Sequence, residues 1–67
     1  MRIDRNKMIK AMARKQMNIK DLAEKSGVSI SALTKIGKGS ITRPKLAGKI
    51  AAALGLDVEE LLEEAGA

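Results

Sequence analysis

The side chains able to do chemistry in this chain are narrow in kind: 13 Lys and Arg, 8 Asp and Glu, some Ser and Thr, and no His or Cys. Without histidine the usual general base is missing, and with it hydrolysis by a hydroxyl–imidazole pair. Without cysteine no disulfide can form and no thiolate can hold a metal. These absences argue against an enzyme and imply no cofactor or metal. What remains is the chemistry of ammonium and guanidinium groups, which donate hydrogen bonds to anionic oxygen.

The placement of those cations is uneven. Residues 1–49 hold all 13 of them and only Asp4, Asp21 and Glu24 as acids, a formal +10. Residues 57–67 hold Asp57, Glu59, Glu60, Glu63 and Glu64 with no cation, a formal −5. A basic body with an acidic end implies a polyanionic partner for the body, most commonly nucleic acid. The same bias also fits a merely solvated basic surface. Phe, Tyr and Trp are absent, so the chain has no aromatic platform on which single-stranded bases stack. Charge without aromatics points to a duplex.

The 67 residues allow one domain, expected to span 1–67. Such a domain buries only ~60% of its unfolded surface, so its core is small. The longest apolar stretch, Ile50 to Leu56, is far short of the ~20 residues that span a bilayer. No apolar segment resembling a signal peptide follows the N-terminus. A cytoplasmic protein without a membrane partner is the expectation.

Strands are not expected, because no run alternates apolar and polar residues for long. Helix signals divide the chain instead. A first helix is expected at about 5–15, capped by Asp4, with Met8, Ile9 and Met12 as its apolar stripe. One pattern then recurs three times: an apolar residue, a capping residue, and an apolar residue four positions after the cap. Met17-Asn18 with Leu22, Val28-Ser29 with Leu33, and Leu56-Asp57 with Leu61 all follow it. Each reads as an N-cap with a hydrophobic staple. The second helix is thus expected at about 19–25, stopped by Gly27. The third is expected at about 30–36, stopped by Gly37 or Gly39. The fourth starts near Pro44 and stops at Gly55. The fifth is expected at about 58–65, with Leu61 and Leu62 inward and its glutamates outward.

The caps Asn18 and Ser29 lie eleven residues apart, and both helices that follow them are short. Between them sit Ala23, small enough for a close crossing, and Gly27, suited to a left-handed turn. That spacing fits a helix-turn-helix. Leu22, Val28, Leu33 and Ile36 would pack inward and fix the crossing.

Here the sequence resembles the Cro/repressor-type helix-turn-helix proteins, the xenobiotic-response-element family. The stretch MNIKDLAEKSGVSISALTKI at 17–36 carries the resemblance, and KGSITRPKLAGKIAAALGLDVEELL at 38–62 continues it. The family implies an all-α, five-helix, lambda-repressor-like DNA-binding domain whose third helix enters the major groove. By position, Ile30, Ser31, Thr34 and Lys35 would face the bases. Lys35 can donate to guanine, Ser31 and Thr34 can donate or accept, and Ile30 can touch a thymine methyl. Asn18, Ser29, Lys38, Thr42, Arg43 and Lys45 would contact the DNA backbone, with Asn18 and Ser29 marking helix N-termini that offer amides to phosphate.

Three positions depart from that family's pattern. Ile19 replaces a polar residue, often Gln, at the start of the second helix. Ser26 stands where an apolar residue is common. Gly37 stands where Glu often pairs with an Arg of the first helix, and Met12 aligns opposite it. Loss of both partners of an ion pair can be nearly neutral, whereas loss of one strands a charge.

The resemblance implies a sequence-specific regulator of transcription, a repressor of phage or mobile-element type. It would act as a homodimer on a two-fold-symmetric double-stranded site. Two alternatives carry weight: an antitoxin-type autorepressor that also binds a protein partner, and a protein-interaction module on the same fold. For both, the acidic fifth helix is the surface a partner would use.

Overall fold

The computed structural model describes residues 1–63. It contains five helices: α1 (Arg5–Arg14), α2 (Ile19–Ser26), α3 (Ile30–Gly37), α4 (Pro44–Leu54) and α5 (Val58–Leu61). Four of them start at a side-chain cap, and α4 starts at Pro44 without one. Asp4 accepts from the Asn6 and Lys7 amides, Ser29 from the Ala32 amide, and Asp57 from the Glu59 amide. Asn18 and Asp21 form a reciprocal capping box, with Asp21 N–H donating to Asn18 Oδ1 at 2.8 Å and Asn18 N–H to Asp21 Oδ2 at 3.1 Å. Pro44 occupies the first turn of α4, where its missing N–H costs nothing.

The helices stop for equally local reasons. Gly27 and Gly55 end α2 and α4 in the left-handed region, with φ of 73° and 70°, a conformation that a side chain resists. Gly37 is itself the last residue of α3. The left-handed turn that follows belongs to Gly39, with φ of 99°.

One hydrophobic core joins all five helices. Met8 and Ala11 come from α1, Leu22 from α2, Leu33 and Ile36 from α3, Ile50, Ala51 and Leu54 from α4, and Leu61 from α5. Val28, in the turn between α2 and α3, and Ile3, ahead of α1, join the inner set, and Met17 and Leu56 pack against its edge. Helix α2 packs on both α3 and α4, and α5 bridges α4 and α1. The helix-turn-helix is therefore held from behind by α4, which leaves the far side of α3 free.

Three expectations need correction. Ile9 is not part of the buried stripe of α1; it is exposed, and Ala11 takes the inward position with Met8. The fifth helix is one turn long, not eight residues, because Leu62 leaves it in an extended conformation. Among the described residues there is also one strand-like pairing, the antiparallel bridge of Ile3 with Leu62. Asp4 N–H donates to Leu61 O at 2.9 Å and Glu63 N–H to Arg2 O at 3.0 Å. Ile3 is buried in the core beneath this pairing. A single buried apolar residue ahead of a helix gives no periodic signal, which is why a two-residue bridge escapes pattern reading. Residues 64 and 65 of the expected fifth helix lie outside the described residues.

Candidate nucleic-acid interface

Helix α3 positions the candidate reading face. Leu33 and Ile36 point into the core, so Ile30, Ser31, Thr34 and Lys35 lie on the opposite side, and all four are exposed. Spacings of one, four and five residues put them on a single helical face. Thr34 has one commitment: its hydroxyl donates to Ile30 O at 2.9 Å. That leaves its oxygen as an acceptor only, while Ser31 keeps both roles.

Cations flank this face on both sides. On the α1 side, one groove of about 340 Å³ is lined by Arg5, Ile19, Thr34 and Lys38 over a floor of Met8, Met12, Leu33 and Gly37. On the α4 side, a second groove of about 360 Å³ is lined by Lys35, Ser40, Ile41, Thr42, Arg43 and Lys45 over Ala32, Ile36 and Leu46. The structure thus brings Lys35, Arg43 and Lys45 together and sets Lys38 apart from them. Arg5 joins Lys38, a role invisible in the sequence because only the fold brings the start of α1 beside the end of α3.

The two helix N-termini differ. At α3, Ser29 takes the Ala32 amide at 3.1 Å, and the Ile30 and Ser31 amides have no partner among the described residues. They are free to meet an anion. At α2, Asn18 N–H and Asp21 N–H are occupied by the capping box, and the Asp21 carboxylate brings a negative charge to that end. Asn18 therefore has no open backbone N–H, but its side-chain Nδ2 remains free to donate; among the backbone amides of that end, those of Ile19 and Lys20 are left open.

Thr42 is a correction. Its side chain is only 3% exposed, and its N–H donates to Met1 O at 2.7 Å. It presents nothing to a phosphate in this structure. Its hydroxyl oxygen is buried and has no hydrogen-bond partner among the described residues. A buried hydroxyl left unmatched destabilises, so Thr42→Val, of the same shape, should raise stability by roughly 1 kcal/mol. A denaturant melt of both proteins checks this; lower stability in the variant would mean that the hydroxyl has a partner in solution.

The departure at Ser26 acquires a physical reason. Ser26 is buried, donates to Leu22 O, 2.6 Å away, and accepts the Val28 N–H at 3.2 Å. It stitches the turn between α2 and α3 where an apolar residue would only pack. Met12 and Gly37 line the same groove. The side-chain atom nearest a Cβ built on Gly37 belongs to Met8, however, whose Cε is 4.0 Å away.

A family model described as the Cro/C1-type HTH DNA-binding domain matches residues 7–64. The chain belongs to the Cro/C1-type helix-turn-helix family. This Cro/C1-type domain is thus a DNA-binding fold, with α2 and α3 as its helix-turn-helix. No curated protein matches the chain. Two solved structures, PhpD with cadmium complexed with hydroethylphosphonate and native PhpD with cadmium atoms, match at a TM-score of 0.85 and 24% identity. Each match covers 100% of this chain and 15% of the PhpD chain. That likeness concerns the fold alone. Among the described residues no helix is long and apolar enough to cross a membrane.

Proposed function

We propose that this chain is a sequence-specific double-stranded DNA-binding regulator of transcription, of repressor type, with α3 in the major groove. The observation that carries the reading is the exposed face of α3 with cations on either side of it, Arg5 and Lys38 toward α1, Arg43 and Lys45 toward α4. A major groove is bounded by two phosphate strands, and a reading helix needs cations facing both. Lys35 reads guanine, Ser31 and Thr34 meet base edges, and Ile30 meets a thymine methyl. The α3 amides beside Ser29 and the side chains of Arg5, Lys38, Arg43 and Lys45 hold phosphates. Two copies act on a two-fold-symmetric site with half-sites ~10 base pairs apart or a multiple of that.

Titration of a duplex by fluorescence anisotropy across a salt series tests the two-sided arrangement. Each phosphate contact contributes about 0.9 to the slope of log affinity against log salt. Arg43→Ala and Arg5→Ala should each reduce that slope by about 1 and weaken all sequences alike. An unchanged slope for Arg5→Ala would remove the α1 side from the interface.

A further inference from the structure

Ile41 has no role in the interface described so far, yet it is the most exposed large apolar side chain among the described residues, at 73%. Its exposure does not come from a slack loop. Ser40 N–H donates to Lys35 O at 3.2 Å on one side of it, and Thr42 N–H donates to Met1 O at 2.7 Å on the other. The backbone is held at both neighbours, and a β-branched side chain has few rotamers to lose. Ile41 is displayed outward at little entropic cost.

It forms one wall of the groove on the α4 side of α3. Ala32, Ile36 and Leu46 supply apolar floor there, and Lys35, Arg43 and Lys45 supply cations around it. A bare phosphate would be served by the cations alone. A base edge other than a thymine methyl would call for polar donors and acceptors in the floor, and a thymine methyl would not call for cations around it. An apolar surface ringed by cations matches the remaining part of a duplex, a deoxyribose whose carbons are flanked by a phosphate at each end.

We propose that this groove seats one deoxyribose of the DNA backbone, with Ile41 packed against its carbons. The proposal rests on the duplex-binding reading above and adds to it an apolar, sequence-blind contact beside the cationic ones. Such a contact fixes how deep α3 enters the groove without reading any base.

Ile41→Ala, compared with the wild type on a selected duplex, tests it. Removing an exposed side chain leaves the core untouched, and a thermal melt confirms that the variant folds. The expected loss of affinity is roughly fivefold, the share of one small apolar contact. The salt slope should stay unchanged, because no charge is lost. Hydroxyl-radical footprinting, which cuts at solvent-exposed sugars, should show one or two sugars per bound copy protected by the wild type and cut in the variant complex.

Unchanged affinity would overturn the proposal, as would weaker binding with every sugar still protected. If deoxyuridine in place of one thymidine reproduced the loss in the wild type and added nothing in the variant, Ile41 would touch a base methyl, and the sugar assignment would fall. Altered self-association with intact DNA affinity would place Ile41 between protein copies, again overturning it. A wild type that binds no duplex above scrambled DNA removes the duplex reading itself, whereas tight wild-type binding without an Ile41 effect removes only this proposal.

Discussion

Alanine in place of Leu61 should cost about 2–5 kcal/mol of folding stability, the usual range for truncating a buried leucine. Leu61 is fully buried, although α5 has only four residues. A helix that short has no stability of its own, so it persists by inserting this side chain between α4 and α1. The residue also carries the carbonyl that accepts from Asp4 N–H at 2.9 Å, which seats Ile3 in the core. A domain of 67 residues has a total stability of roughly 3–10 kcal/mol. The loss is therefore a large part of the whole. Calorimetry should show a melting point lowered by ten degrees or more, on the order of 4–8 °C per kcal/mol. A shift of only a degree or two would mean that the carboxyl end is an ornament on a core completed by the first four helices.

The largest effect on recognition should come from Lys35→Ala. The side chain lies on the exposed face of α3 and lines the groove shared with Arg43 and Lys45. It is the one cation on that face, and the Thr34 hydroxyl proton is already given to Ile30 O at 2.9 Å. Donation to a base acceptor thus falls mainly to Lys35 and Ser31. The variant should lose about 1–3 kcal/mol on the preferred duplex and discriminate less at one base pair of each half-site. Competition titrations with duplexes changed at each position measure both. A uniform loss over all sequences would turn Lys35 into a phosphate contact and move the reading face elsewhere on α3.

Much of this was legible in the sequence because the information is local. The caps at Asn18, Ser29 and Asp57, the left-handed glycines Gly27 and Gly55, and Pro44 mark helix ends within a residue or two, and the structure keeps all of them. The exposed face of α3 came with the family resemblance, and Leu33 and Ile36 as its inward residues agree with it. What escaped depends on contacts distant in sequence. Thr42 reads as a polar loop residue, but pairing of its amide with Met1 O turns its side chain inward. Ile9 reads as core, but α1 meets its neighbours through Met8 and Ala11. Arg5 is one cation among many until the fold sets it beside Lys38. Ile41 carries no signal of its own in the sequence, and only the fold shows it held outward.

The most direct test of the proposed function is selection from a random duplex library at near-physiological salt, followed by titration of the winner against scrambled DNA. A two-fold-symmetric motif bound ~10³-fold or more above scrambled sequence is the expected result. Weak, sequence-blind binding that vanishes with added salt would contradict it, since charge alone would then account for all the affinity.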